Sequence, residues 1–333
     1  MSKRVILSVT FVVVAVAINV HAATPPPNPS DPTLALWLKA NSGIVTDVNG
    51  SIITWHDQRT GSTNVASPYP APDPPDPCYP HPPKLATFVT AGGRTFPVVR
   101  IDARIGIGGF LTIPNDGSAS FVIPGDLSLI VVYDPNGQDP NSYHSVVALR
   151  GPEGIMYEMF LSQSYIRSDF WNGGSAFQML SSYTRKAKTN TWHITHIRIS
   201  GTALSFLDAE TQEYKRPLED IGDGVVDSLA RATTMFSPLG IGMHTQNPKV
   251  DIHPYRGDIA EILLYKTALS DAQAKTVTDY IYEKYFVPNK CGDLGTYYLT
   301  NDVSKDCRVD MADLPLVIQD WLMCTDPVSQ NCK

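Results

Sequence analysis

From Leu34 to about Val287 the chain consists of apolar stretches of four to eight residues bounded by Gly, Pro, Asn and Asp, the pattern of short β-strands joined by turns. Ser51-Ile52-Ile53-Thr54-Trp55, Val98-Val99-Arg100-Ile101 and Leu127-Ser128-Leu129-Ile130-Val131-Val132-Tyr133 are of this kind. His193-Ile194-Thr195-His196-Ile197-Arg198-Ile199 alternates, placing Ile194, His196 and Arg198 on one face and His193, Thr195, Ile197 and Ile199 on the other. Many short strands, with no repeating helix–strand alternation, predict an all-β fold: a two-sheet sandwich. One helix closes the region. Ser270 and Gln273 form a capping box, Ala274, Val277, Ile281 and Tyr285 recur at helical spacing, and Pro288 stops the run.

Two proline-rich stretches interrupt this pattern. Pro68 to Pro83 holds nine prolines in sixteen residues; proline lacks the ladder N–H, so a long surface loop between early strands is expected there. Residues 24–33 read as a spacer. Ahead of them, Lys3 and Arg4, the apolar run Val5 to Val20, and Val20-His21-Ala22 before Ala23 match a signal peptide over residues 1–23. A membrane anchor is the alternative, but the run is short for a spanning helix of about 20 residues, and no membrane insertion is expected. Export would put the protein outside the cell, or at a bacterial surface or periplasm, where disulfides form.

The 333 residues suit about two domains of roughly 100–200 residues each, here 34–287 and 288–333. With 33 acidic and 26 basic residues, a net charge of −7 and no Lys/Arg cluster, nucleic acid is not an expected partner. Cys291, Cys307, Cys324 and Cys332 crowd the tail and allow three pairings. Cys78 is left over, as a free thiol or an interchain partner.

Gly257-Asp258-Ile259-Ala260-Glu261-Ile262-Leu263-Leu264-Tyr265, followed by Ala268-Leu269-Ser270 and the helix, resembles the closing strand of laminin-G-like, concanavalin A-type jelly rolls of bacterial secreted proteins. Leu36-Trp37-Leu38-Lys39-Ala40 with Trp55-His56-Asp57-Gln58 looks like their opening strands, and Pro97-Val98-Val99-Arg100-Ile101-Asp102 like the next marker. Trp192-His193 and Leu204-Ser205-Phe206-Leu207-Asp208 look like their late hairpin, with Asp208-Ala209 at the usual Asp-Gly turn. The resemblance implies a two-sheet jelly roll over residues 34–287. It implies no single function, because this fold hosts binding modules, adhesins and enzymes.

The sharpest chemical motif lies in the tail. Asp302, Ser304, Asp306, Asp310 and Asp313 fall at positions 1, 3, 5, 9 and 12 of a calcium loop, and Arg308 at position 7 would supply its carbonyl. Cys307 stands where a Gly normally turns the loop, and Asp313 replaces the longer Glu. Leu314, Val317, Ile318 and Trp321 follow as an apolar helical stripe. A single loop with an exiting helix resembles dockerin modules, which implies a small disulfide-rich calcium module at 288–333 and a protein partner docking through it.

Catalytic patterns are weak. Glucanases of this fold place three carboxylates on one strand; the nearest run here is Asp208-Ala209-Glu210 with Glu213, at an expected turn. His193 and His196, three apart on a strand, face opposite sides and cannot share a metal. Glu261 is expected to be a structural hydrogen-bonding carboxylate, and Trp37, Trp55 and Trp192 to be core. Tyr165, Trp171 and Tyr183, with Arg167, Asp169 and Asn172, occupy what reads as a loop-rich middle. They either line a sugar-binding groove or pack inside. The resulting expectation is a secreted, non-catalytic protein that binds polysaccharide or a surface glycoconjugate, with a protein-binding envelope role and a polysaccharide-cleaving enzyme as alternatives.

Overall fold

The structure, a computed structural model, describes residues 27–69, 82–89, 95–103, 109–136, 143–162, 165–172, 174, 177–210, 218–227, 231–243 and 254–286, without the side chains of 182–185. The strands are β1 (Leu34–Lys39), β2 (Ile44–Thr46), β3 (Ile52–His56), β4 (Val65–Pro68), β5 (Lys84–Val89), β6 (Thr95–Asp102), β7 (Leu111–Ile113) and β8 (Leu127–Asp134). They continue as β9 (Tyr143–Gly151), β10 (Gly154–Ser162), β11 (Tyr165–Trp171), β12 (Phe177–Lys186), β13 (His193–Ser200), β14 (Ala203–Glu210), β15 (Glu219–Val225), β16 (Leu239–Ile241) and β17 (Arg256–Tyr265). Helix α1 (Asp271–Ile281) runs on into a π-helical turn, Tyr282–Phe286.

The strands form two antiparallel sheets. One has the order β15-β14-β13-β8-β17-β6-β5, with β1 added to β17; the other has the order β12-β11-β10-β9-β16-β7-β4-β3-β2. Strand β17 pairs with β8 along one edge, while β6 takes the first half and β1 the second half of its other edge. The expected sandwich is therefore present. Pro68 ends β4, paired with Leu111, and residues 70–81 of the expected proline loop lie outside the described residues.

Two apolar layers hold the fold. Between the sheets lie Trp55, Phe110, Phe121, Phe170 and Phe206. Outside the eight-stranded sheet, Trp37, Trp192 and Ile194 pack against Val277, Ile281 and Tyr285 of the helical segment. Strand β8 is a continuous apolar run because both of its faces are covered: Leu129, Val131 and Tyr133 face the first layer, Ile130 and Val132 the second. Ser270 caps α1 as its sequence indicates. Its amide donates to Gln273 Oε1 at 2.9 Å, and the Gln273 amide donates back to Ser270 Oγ at 3.4 Å. At Gly257, which opens the G-x-I-A-E strand, an added Cβ would collide with the Asp134 carbonyl and the Tyr255 hydroxyl, so only glycine fits. Among the described residues no helix is long and apolar enough to cross a membrane.

Candidate functional site

The stretch expected to be loop-rich is instead a four-stranded meander, β9 to β12, at one end of the nine-stranded sheet. Strands β9 and β10 are joined by only two residues, Pro152 and Glu153, and Gly154 takes the positive φ of the turn at 132°. The apolar content of β9 and β10 then follows from burial of both faces, since nearly every residue is covered.

Strand β11 alternates strictly. Ile166 and Phe170 join the inter-sheet core. Tyr165, Arg167, Asp169 and Trp171 therefore share the outer face, each about 7 Å from the next at the usual rise of a strand. The register brings neighbours onto that face: Trp171 lies opposite Phe177, Asp169 opposite Met179, Arg167 opposite Ser181 and Phe160. The open side of the patch is apolar, with Phe177 55% and Met179 39% exposed. Its other side is closed and charged. Glu158, on the outer face of β10, is fully buried; it accepts from the Ser145 hydroxyl through Oε1 and pairs with Arg150 through Oε2 at 3.1 Å.

Asp169 lies between the two sides. It is 3% exposed, and its Oδ1 has no hydrogen-bond partner among the described residues. Burial pushes its carboxyl up to about 8, and the neighbouring Glu158 adds to the rise, while Arg150 and Arg167 oppose it. Asp169 is thus largely protonated at neutral pH. Arg167 is poorly partnered as well: its Nη1 meets the Met179 sulfur at 2.8 Å, and its Nε finds no acceptor among the described residues. The Lys186 ammonium sits 4.8 Å over the Tyr165 ring. Asn172 stands at the end of the row, exposed, and accepts the Gly174 amide at 2.9 Å; the Trp171 indole donates to the Gly174 carbonyl at 2.8 Å. The turn they make fixes the Trp171 ring at the edge of the patch.

Five of the six expected binding residues thus fall in one row along β11 and its end. Tyr183 falls on β12, with its side chain outside the described residues. Glu158, Arg150, Phe177, Met179 and Lys186 escaped sequence reading because strand register alone brings them to the row. A lone Glu inside the apolar run Gly154–Ser162 was the available signal.

The carboxylates Asp208 and Glu210 have structural partners. Asp208 is not in a turn, as expected, but fully buried inside β14; Gly201 and Thr202 make that hairpin turn. Its Oδ2 meets His193 Nδ1 at 3.0 Å, and the Thr195 hydroxyl donates to its Oδ1 at 2.7 Å. Glu210 pairs with Lys188 at 2.7 Å. His196 points to the other side of β13 from His193, as the alternation requires, and is fully buried. A cleft of about 640 Å³ elsewhere is lined by Arg59, Asn64, Asn115 and Ser120. These groups bond to one another, to Asp57 and to backbone carbonyls, which marks the cleft as loop scaffolding. Among the described residues no three His, Cys, Asp or Glu converge as a metal site. The calcium-loop residues Asp302, Ser304, Asp306, Arg308, Asp310 and Asp313, and all five cysteines, lie outside the described residues.

No family model matches the chain, and no curated protein matches it. Solved structures do resemble it. A mutant of HCR D/C VPI 5995 superposes with TM-score 0.50 at 10% identity, over 76% of this chain and 53% of that one. The binding domain of Paraclostridial Mosquitocidal Protein 1 gives 0.49 at 10% identity over 76% and 53%, and Trypanosoma rangeli sialidase in complex with sialic acid 0.46 at 13% over 79% and 34%. The chain spans between about a third and a half of those chains. At such identities the likeness is one of fold, and the fold is an antiparallel two-sheet β-sandwich.

Proposed function

We propose that this chain is a secreted, non-catalytic binding protein on a laminin-G-like, concanavalin A-type jelly roll, and that polysaccharide or a surface glycoconjugate lies across β11 and β12. The observation that carries this reading is the pairing of Trp171 with exposed Phe177 beside two unpartnered polar groups, Asp169 Oδ1 and Arg167 Nε. A sugar ring offers a C–H-rich face to an aromatic ring, and its rim hydroxyls both donate and accept hydrogen bonds. Glu158 argues against turnover: a general base needs an oxygen free for the substrate's proton, and both of its oxygens are already held, by Ser145 and Arg150. A glycan array with the wild type and Trp171→Ala tests the reading. Binding lost in the variant supports it; reducing-sugar release by the wild type would replace it with the enzyme reading.

A protein ligand on the same face is the second reading, because Phe177 and Met179 are both exposed, and Met and Phe are enriched at protein interfaces. The tail we read as a dockerin-like module that folds around one calcium ion held by Asp302, Ser304, Asp306, Asp310, Asp313 and the Arg308 carbonyl, and that offers a further contact for a protein partner. Its support is the spacing of these residues. Calorimetry on the whole chain is expected to show one calcium site that Asp302→Ala and Asp313→Ala remove; absence of heat at roughly millimolar calcium, the weak end for such loops, would dismiss it.

A further inference from the structure

The outer face of β11 holds an arginine that meets no anion among the described residues. Arg167 lies on the same face as Asp169, yet among the described residues its one bonded partner is a thioether, a weak acceptor, and its buried Nε–H finds no acceptor. A guanidinium fork matches the planar geometry of a carboxylate and binds it through two parallel hydrogen bonds. Asp169 beside it also has an unpartnered oxygen in a site that is 3% exposed. Glu158, the remaining carboxylate of the patch, is already neutralised by Arg150, and Lys186 adds a further positive charge at the Tyr165 end.

Resting on the carbohydrate reading above, we infer that the site selects an acidic sugar: a ring carboxylate pairs with the Arg167 fork and receives a hydrogen bond from Asp169, while the ring packs on Trp171 and Phe177. Burial and the neighbouring Glu158 keep Asp169 protonated near neutrality, which makes it a donor to the incoming carboxylate rather than a repelling charge. A neutral sugar would leave Arg167 without a counter-charge. A sulfate ester also carries charge, but it is a weaker base toward a carboxyl donor and does not present the planar two-oxygen edge that the fork matches.

The test uses the whole protein and three polymers: polygalacturonate, its fully methyl-esterified form, and dextran sulfate. Polygalacturonate is expected to bind about tenfold or more tightly than the ester, as a charge-assisted hydrogen bond provides. Arg167→Gln is expected to erase that difference without lowering the melting temperature, and Arg167→Lys to restore only part of it, since it keeps the charge and loses the fork. Equal binding of acid and ester would overturn the acidic-sugar class while leaving the carbohydrate reading intact. Equal binding of dextran sulfate would overturn the carboxylate assignment. If no polymer binds and the glycan array is also blank, the carbohydrate reading and this inference fall together.

Discussion

Glu261 ties three parts of the fold together at one carboxylate, and its removal tests the packing scheme. It is fully buried in β17. Its Oε1 accepts from the Trp37 indole of β1 at 2.6 Å, and its Oε2 accepts from the Lys284 ammonium at 2.7 Å and the Tyr285 hydroxyl at 2.6 Å. Lys284 is itself only 16% exposed; burial lowers its pKa, and Glu261 holds its charge in place. Glu261→Ala leaves an ammonium, an indole N–H and a phenol without their acceptor. Removing one member of a buried ion pair costs about 3–5 kcal/mol, which in a domain of this size lowers the melting temperature by on the order of 10 °C. Glu261→Gln keeps the shape and one acceptor oxygen and is expected to cost less, about 1.5–3 kcal/mol, the value of a charged hydrogen bond. Replacing both charges, as Glu261→Leu with Lys284→Met, is expected to recover the part of the loss that the stranded ammonium causes, while the Trp37 indole and the Tyr285 hydroxyl still lack their acceptor. Urea titration reads all three as shifts in midpoint at constant slope. An alanine variant within about 1 kcal/mol of the wild type would refute this role for the cluster, and so would a double variant as unstable as the single.

Two buried groups make further predictions through pH. Neither ring nitrogen of His196 has a partner among the described residues, and burial, with Arg198 adding, holds its pKa down to about 3. The unfolded chain, with its histidine near 6.5, therefore binds more protons, and stability falls as pH drops from about 6.5 toward 3. His196→Leu is expected to raise the urea midpoint more at about pH 5 than at about pH 8; an equal gain at both would contradict the assignment. Asp134 runs the other way: burial, with Asp258 adding, raises its carboxyl to about 6, and its Oδ1 has no partner among the described residues. The native state then binds more protons between about pH 4 and 6, and stability falls as pH rises through that window. Asp134→Asn is expected to stabilise by about 1–2 kcal/mol at about pH 7.5 and to change little at about pH 4, read as melting temperature; the same shift at both pH values would count against it.

Much of the sandwich was legible because the physics that builds it is local. The alternation of His193 to Ile199 assigns faces correctly: Ile197 and Ile199 lie between the sheets and Ile194 under the helix. The Ser270–Gln273 box, and Trp37, Trp55 and Trp192 as core, follow from similarly local signals. What stayed hidden depends on register. The Asp208-Ala209 pair sits where a turn is usual, yet the hairpin turns at Gly201 and Thr202 and carries Asp208 inside, to His193 and Thr195. The row of Trp171, Asp169 and Arg167 could be picked out by residue type. Its meeting with Glu158, Phe177 and Met179 could not, since those contacts arise from the β10–β11 and β11–β12 pairings. Glu158 and Asp169 stand on two different strands, so no spacing along a single strand marks them as neighbours.

The central claim is that the ligand lies across β11 and β12 and not in the cleft lined by Arg59 and Ser120. The most direct measurement is calorimetric affinity, with melting temperature recorded alongside, for Trp171→Ala and for Thr63→Lys, an exposed cleft residue. The ligand is the strongest glycan found for the wild type. Trp171→Ala is expected to weaken binding by roughly tenfold or more, about 1.4 kcal/mol, with the melting temperature nearly unchanged because the ring is half-exposed at the end of its strand, and Thr63→Lys is expected to bind as the wild type does. Affinity retained in Trp171→Ala, or lost in Thr63→Lys, would contradict the account.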